Sequence, residues 1–146
     1  MIFPKDIAAS VVCSGISVGD VFAARMNESN GITPKDGYNS RRKFFVVLGI
    51  TEDGFVYGGV VVNSQINKNT EPAKKMLQYP LDENKYDFLE HNSFVNCAEL
   101  KTLTLEQLLK AECIGKIIQE DLNLIIGAVI GSPFVEQATL ERFQIQ

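Results

Sequence analysis

The period of the hydrophobic residues changes once along this chain, and that change constrains the fold more than any single motif does. Up to about residue 100 the apolar residues recur at every second position or in continuous runs, which is typical of β-strands. Beyond that point they recur every three to four residues, as on one face of a helix. Strands followed by helices predict an α+β fold. The chain shows no internal repeat and no linker, so we expect one domain over residues 1–146.

The first two thirds of the chain contain about five segments that favour strands. The clearest are residues 43–50 and 55–64, two apolar runs joined by a segment with the Asp-Gly pair of a tight hairpin. Gly58 and Gly59 interrupt the second run and predict a bulge or a sharp bend. The remaining strands are expected at residues 19–24, at 76–82 (an edge strand with Pro80) and at 93–103, covered on both sides. Short, strongly bent strands of this kind are most economically arranged as a small closed barrel.

One or two helices are expected at the C-terminal end. Residues 104–107 have the spacing of a capping box, which predicts the start of a first helix that Gly115 ends. Its buried stripe would include Leu109. A second helix should begin near Gln119, with Ile118 on its buried face, and should end at the Gly-Ser-Pro segment 131–133. The tail after this segment fits either a short strand or a short helix.

The net charge argues against a broad nucleic-acid surface. The chain has 18 acidic and 14 basic side chains, a formal charge of -4. This is the wrong sign for a protein that binds nucleic acid over a wide area by releasing counterions. Any site for a polyanion must therefore be local.

The other composition signals favour a cytoplasmic protein. Cys13, Cys97 and Cys113 lack the paired spacing of zinc or redox sites, and we interpret them as small hydrophobic residues in a reducing compartment. The first ten residues include a proline and two charges and do not make a signal peptide. The longest apolar run, residues 124–131, is far shorter than a membrane span. We expect neither a cofactor nor a metal nor contact with a membrane.

A candidate cationic site precedes the second expected strand. Arg41, Arg42 and Lys43 stand directly before its apolar run, while Asn63 and Ser64 close the strand that follows. If the two strands form a hairpin, cations and hydrogen-bond donors meet at one end of the sheet. A charged strand end that discourages pairing with other molecules would explain the three cations equally well. A turn or cap would likewise explain Asn63 and Ser64.

The order and spacing of several segments resemble the PemK/MazF family of toxin endoribonucleases. The resemblance covers roughly residues 18–131 and lies in "GDVF", "VVVNSQ", "YPL", "SFVNCAELKTL" and "GKIIQEDLNLIIGAVI", in that order. It implies a small SH3-like β-barrel of about five to seven bent strands, with one or two helices at the C-terminal end. It also implies a homodimer paired with a cognate antitoxin. The implied activity is metal-independent cleavage of single-stranded RNA, in which the 2′-hydroxyl attacks its own phosphate.

The resemblance assigns roles to the candidate residues. The family's phosphate-binding arginine precedes the second strand, where Arg42 is the first choice and Arg41 the second; alignment on the valines gives Lys43 instead. A guanidinium suits this role because it holds two phosphate oxygens at once and keeps its charge. Asn63 matches the position of a family Thr or Ser, with Ser64 beside it. Further residues expected to bind the RNA are Gln65, Lys68 and Lys101.

Other residues favour a second interpretation. Ala98 stands where the family often has an acid, and Glu99 should face the opposite side of the strand. His91 is expected on a solvent-facing loop, and Lys68, Lys74 and Lys75 also fit a solvated surface. The alternative function is therefore an SH3-like barrel that binds protein or RNA without cleaving it. A cytosolic protein unrelated to toxins is a third hypothesis.

Overall fold

The computed structural model of this chain describes residues 15–34 and 37–146. In this part of the chain one antiparallel sheet has seven strands: β1 (Asp20–Met26), β2 (Arg41–Ile50), β3 (Val56–Asn63), β4 (Gln78–Leu81), β5 (Ser93–Asn96), β6 (Lys101–Thr104) and β7 (Glu112–Lys116). The helices are α1 (Pro72–Lys75), α2 (Leu105–Leu109), α3 (Gln119–Ile130) and α4 (Gln137–Arg142), and 3₁₀ turns lie at Glu28–Asn30 and Glu83–Lys85. The predicted α+β class is confirmed. None of these helices has the length and apolar character needed to cross a membrane.

The sheet is open, which differs from the closed arrangement expected. The strand order is β4-β5-β3-β2-β1-β7, and β6 pairs with β3 next to β5. Among the described residues no ladder joins β7 to β4 or to β6. Helix α3, which follows β7, bridges the gap, because its Asp121 accepts a hydrogen bond of 2.6 Å from the Tyr79 hydroxyl of β4. Strand β4 is the edge strand that Pro80 predicted, and Pro80 is exposed there.

Asp121 is the buried polar anchor of this bridge. Its second carboxylate oxygen accepts a hydrogen bond from the hydroxyl of Tyr86, which in turn accepts one of 3.2 Å from the Ile118 backbone N–H. The hydrogen bond to Asp121, with burial adding to it, raises the pKa of Tyr79 to about 12. A carboxylate with two phenol donors is well satisfied away from water, so the first turn of α3 is fixed against β4.

Both faces of the sheet are covered, as predicted for its central strand. On β2, Val46 and Leu48 face one core, while Phe45 and Val47 face another. Helix α3 supplies the first core with Leu122, Ile125 and Val129, and helix α2 supplies the second with Leu105 and Leu108. Both faces of a central strand are expected to be apolar when the sheet is packed between two layers.

The β2–β3 hairpin carries the irregularity that the glycine pair predicted. Val47 faces Gly59 and Gly49 faces Gly58, so Leu48 is an extra residue on β2. The glycine at 58 is required by packing, because a Cβ there would lie 2.6 Å from the Phe143 ring. The bulge thus lies between the turn of the hairpin and the end where β2 begins and β3 ends.

The C-terminal tail forms helix α4 and then covers the turn end of the hairpin. Phe143 is buried, and its carbonyl accepts a hydrogen bond of 2.9 Å from the Ile50 backbone N–H. The Gln144 side-chain amide donates to the Ile50 carbonyl at 2.9 Å. A Cβ on Gly49 would lie 2.1 Å from the Phe143 carbonyl oxygen, so the tail depends on a glycine for its close approach.

The expected strand at 93–103 is wrong in extent. It divides into β5 and β6, because the chain turns after Asn96, whose side-chain oxygen accepts a hydrogen bond of 3.1 Å from the Ala98 backbone N–H. Cys97 and Ala98 are buried in this turn, and the Cys97 backbone N–H donates to Leu77 at 2.9 Å. The local side-chain bond competes with the ladder and ends the strand.

The first predicted helix is also wrong in extent. The capping box of Thr104 and Gln107 is confirmed, but α2 ends at Leu109, which is half exposed. The chain then forms β7, which pairs with β1. Gly115, expected to end the helix, lies in β7, where a Cβ would stand 2.6 Å from the Phe88 ring. Pairing with a strand about 90 residues away overrides the local helical pattern. Ile118, expected on the buried face of the second helix, is 45% exposed as its N-cap.

Candidate functional site: a cationic groove

A groove of about 1210 Å³ opens at the end of the sheet where β2 begins and β3 ends. Its walls are the first residues of β2, the segment after β3, helix α1 and the segment around His91. We call it the cationic groove. The sequence-predicted site residues that line it are Arg41, Arg42, Lys43, Asn63, Ser64, Gln65 and Lys68. Lys101 is not on its wall but lies behind it on β6.

The three adjacent cations belong to the sheet and not to the preceding loop. Strand β2 begins at Arg41, which pairs with Met26, and Lys43 pairs with Ala24. Alternation along the strand places Arg41 and Lys43 on one face and Arg42 on the other. The Arg42 guanidinium lies 5.2 Å from the centre of the Phe44 ring, within the range of a cation–π interaction. The loop between β1 and β2 therefore covers residues 27–40.

The start of that loop is anchored under β6. It contains the 3₁₀ turn Glu28–Asn30, and the Asn30 side chain is buried. The Asn30 amide donates to the Thr102 carbonyl and to the Gln107 side chain, both at 2.8 Å. The loop thus leaves the sheet along a fixed path. Residues 35–36 of this loop lie outside the described residues.

Lys43 is the cation of the triplet that contacts a predicted partner. Phe44 faces Val62 in the ladder, so Lys43 and Asn63 stand one step further out, and the Lys43 ammonium donates a hydrogen bond to the Asn63 side-chain oxygen. Burial, with repulsion from Arg41 and Lys101 adding to it, lowers the pKa of Lys43 from 10.5 to about 8. At neutral pH the side chain is a cation, and within the described residues no carboxylate forms an ion pair with it, which suits it to an anionic ligand.

Glu99 is a groove residue that strand alternation failed to predict. Because β5 ends at Asn96, the expected alternation does not apply at position 99, and Glu99 lines the cationic groove. Its carboxylate accepts hydrogen bonds from Lys74 at 2.5 Å and from Lys101 at 3.0 Å. The bond from Lys74, partly opposed by burial and aided by Lys101, lowers the pKa of the Glu99 carboxyl. Ala98 beside it is fully buried.

Helix α1 forms one wall of the cationic groove and has no buried residue of its own. Contacts of the Lys74 side chain and backbone hold it. Besides the bond from Lys74 to Glu99, the Gln78 side-chain amide donates to the Lys74 carbonyl at 3.0 Å and to Asn96 at 2.9 Å. The Lys74 ammonium also lies 5.0 Å from the Phe134 ring. This wall is thus attached mainly by polar contacts.

The opposite wall is aromatic. The Phe44 and Phe88 rings meet edge to face with centroids 6.0 Å apart, and both line the cationic groove. His91 lies exposed on the same rim, where its carbonyl accepts a hydrogen bond of 2.8 Å from the Ser93 hydroxyl. Aromatic faces next to cations can take up both the bases and the phosphates of a single strand.

The part of the chain that the structure describes contains no group of three or more His, Cys, Asp or Glu residues that could hold a metal ion. Cys97 is buried, which raises the pKa of its thiol to about 12, and Cys113 is an exposed free thiol. Cys13 and the first ten residues, interpreted above from sequence, lie outside the described residues.

Comparison with known proteins finds similarity among solved structures. No protein-family model matches the chain, and curated protein sequences give no significant match. Among solved structures, the chain is similar to a chain of the crystal structure of MazE-MazF (Form-II) from Deinococcus radiodurans. The two are 15% identical with a TM-score of 0.48, and the match covers 80% of this chain and 94% of that chain. A likeness at this level does not by itself establish a shared activity.

Proposed function

We propose that this chain is a toxin-type endoribonuclease that cleaves single-stranded RNA without a metal ion. The observation that carries the proposal is the meeting of Lys43 and Asn63 across two strands, with Arg41, Arg42 and Ser64 lining the same groove. The sequence resemblance described above supports the same activity. An acidic chain with five of its 14 basic side chains lining one groove meets the requirement for a local polyanion site.

The proposed chemistry is an internal transfer at phosphorus. The 2′-oxygen forms a bond to its own phosphate, the bond to the 5′-oxygen of the next nucleotide breaks, and a 2′,3′-cyclic phosphate remains. Negative charge grows on the two non-bridging oxygens, where the Lys43 ammonium and a neighbouring guanidinium would donate hydrogen bonds. One well-placed donor of this kind lowers the barrier by about 3 kcal/mol.

The remaining residues would position these donors. Asn63 accepts a hydrogen bond from Lys43 and so fixes the direction of the ammonium. The Ser64 hydroxyl would donate to the same phosphate. Because Ala98 is buried and Glu99 is bound by two lysines, we assign the proton transfers to water in the open groove. Gln65 and Lys68, which continue the wall after β3, would bind the neighbouring nucleotide.

Two protein partners complete the proposal, namely a second copy of this chain and a cognate antitoxin in the cytoplasm. Both follow from the sequence resemblance. The cationic groove would attract an acidic segment of the antitoxin, which would block the entry of RNA. Copurification of the chain with a small acidic protein encoded next to it would support this assignment.

Incubation of the purified protein with a long single-stranded RNA in EDTA tests the activity. We expect cleavage that leaves 2′,3′-cyclic phosphate and 5′-hydroxyl ends. The double variant Arg41→Ala/Arg42→Ala should abolish it. The matched control is Lys75→Ala/Lys85→Ala, which removes two exposed charges that do not line the cationic groove. Intact RNA at micromolar wild-type protein would refute the proposal.

A second candidate function is binding of RNA or protein without cleavage. The buried Ala98 and the occupied carboxylate of Glu99 favour it, because they leave the family's acidic position without a free acid. The same assay separates the two candidates. A pure binding module would retain the RNA on a gel or filter and leave its length unchanged.

A further inference from the structure

Glu99 lies between two lysines at the back of the cationic groove. Lys74 reaches it from helix α1 at 2.5 Å and Lys101 from β6 at 3.0 Å. Lys101 also donates to the Gly31 carbonyl at 2.7 Å, so its ammonium is held in place independently of Glu99. The two ammonium groups form a binding site for one anion, and the Glu99 carboxylate occupies this site in the free protein.

This anion site is open to the cationic groove, where a ligand would bind. The Glu99 side chain is 34% exposed and the Lys74 side chain 30%, and both line the cationic groove. An ammonium also binds a carboxylate and a phosphate oxygen by the same charge-assisted hydrogen bonds. A phosphate that enters the groove can therefore compete with Glu99 for Lys74.

We propose that Lys74 and Lys101 form a second phosphate site for the RNA backbone, and that Glu99 occupies this site until a phosphate displaces it. The inference rests on the proposed RNA function. In the free protein Glu99 offsets one of the two lysine charges, which lowers repulsion among the cations of the groove. On binding, the carboxylate turns towards water and the lysines take up the nucleotide next to the one held at Lys43. Glu99 thus limits the affinity of the groove for any polyanion.

The test compares Glu99→Gln with Glu90→Gln. Glu90 also lines the cationic groove and is exposed, and it forms no ion pair within the described residues. Both variants remove one negative charge from the groove, but only the first releases two lysines. The probe is a fluorescent 2′-O-methyl oligoribonucleotide of mixed sequence, which cannot be cleaved by its own 2′-hydroxyl. Its dissociation constant is measured from 0.05 to 0.3 M salt.

We expect Glu99→Gln to bind the probe about fivefold more tightly than wild type at 0.1 M salt, since it loses a competing, partly exposed ion pair. Each phosphate contact with a single strand contributes about 0.7 to the slope of the salt dependence. Because the two lysines also reach the phosphate in wild type, Glu99→Gln and Glu90→Gln should both keep the wild-type slope. Adding Lys74→Gln to Glu99→Gln should lower the slope by about 0.7 and remove most of the gain in affinity.

The inference fails if Glu99→Gln binds no more tightly than Glu90→Gln, or if Lys74→Gln does not reverse its gain. A parallel assay with unmodified RNA separates this result from the proposed function. Cleavage without any effect of Glu99→Gln refutes only the second phosphate site, whereas tighter binding without cleavage refutes only the nuclease. Absence of probe binding in all variants refutes both. Should Glu99→Gln fail to fold, Lys74→Gln alone must lower the slope of the wild type by about 0.7.

Discussion

The two ends of the β2–β3 hairpin are built in opposite ways. At the turn end, Gly49 and Gly58 allow Phe143 to approach so closely that a single methyl group would clash. At the other end, Arg41, Arg42 and Lys43 border an open groove, and within the described residues they use few of their side-chain hydrogen-bond donors. One strand pair therefore combines a tightly packed region with a region held ready for a ligand.

This difference shows that the residues that stabilise the hairpin and the residues that would bind a ligand lie at opposite ends of it. Packing at the turn end contributes to folding, and Gly49, Gly58 and Phe143 do not line the cationic groove. At the groove end the lowered pKa of Lys43 shows that folding disfavours its charge, through burial and two neighbouring cations. A site that is destabilised in the free protein gains most when an anion arrives. Variants at the turn end should thus change mainly the free energy of unfolding, whereas variants at the groove end should change RNA cleavage.

The largest effect on stability is expected from Phe143→Ala. The substitution empties a fully buried position against the hairpin and should lower the free energy of unfolding by about 4 kcal/mol. Chemical denaturation followed by circular dichroism measures it. Phe55→Ala, at a half-exposed position near the same turn, is the control and should change stability by less than about 1 kcal/mol. Equal losses in the two variants would contradict the tight packing of this end.

Gly49→Ala should come next. Its new methyl group would lie 2.1 Å from the Phe143 carbonyl oxygen, so the tail or the strand must move. We expect a loss of about 3 kcal/mol. The substitution Gly127→Ala is the matched control, because a Cβ there meets no atom within 4 Å. A neutral Gly49→Ala would show that the tail does not cover the turn in solution.

Lys43→Met should distinguish the groove end of the hairpin from the turn end, because it should raise stability and lower activity. It removes a cation that folding disfavours, so the free energy of unfolding should rise by about 1 kcal/mol, less than the full pKa shift implies because water reaches the side chain. The same variant should cleave RNA about 10²-fold more slowly. Unfolding curves and single-turnover cleavage are measured on one preparation. A variant that is less stable but equally active would overturn this account of the groove end.

The smallest effect is the dependence on pH. Lys43 has a pKa of about 8 in the folded chain against 10.5 when unfolded, so between these values the unfolded state binds more protons. The stability deficit of wild type relative to Lys43→Met should therefore shrink from pH 8 to 10.5. The rate of RNA cleavage should fall as the pH rises through about 8, because the Lys43 ammonium loses its proton there. Lys43→Arg, which keeps its charge, should not show this fall.

Local patterns explain what could be predicted from the sequence. The change of period identified the α+β class, the alternating apolar runs identified β2 and β3, and residues 104–107 identified the start of α2. Strand β7 could not be predicted, because its five mostly exposed residues are defined only by pairing with β1. The location of the groove could be predicted from the two strand ends, since a hairpin brings them together.

The contacts inside the groove could not be predicted in the same way. The position of Glu99 depends on where β5 ends, which the Asn96 side chain decides through one local hydrogen bond. The choice between Arg42 and Lys43 depends on strand register, and alignment on a run of valines leaves a slip of one residue open. The Asp121 anchor joins residues 35 and 42 positions apart in sequence, a distance at which no periodic pattern operates.

The extra residue at Leu48 has a further consequence for how this groove can change. If Leu48 were paired in a regular ladder, Phe44 would stand opposite Asn63, and a phenyl ring would replace the ammonium there. A change near the turn that paired Leu48 and removed the bulge would thus exchange the side chains that meet in the groove, although every residue that lines it stayed the same. The chemistry of the groove therefore depends on a backbone irregularity that lies outside it.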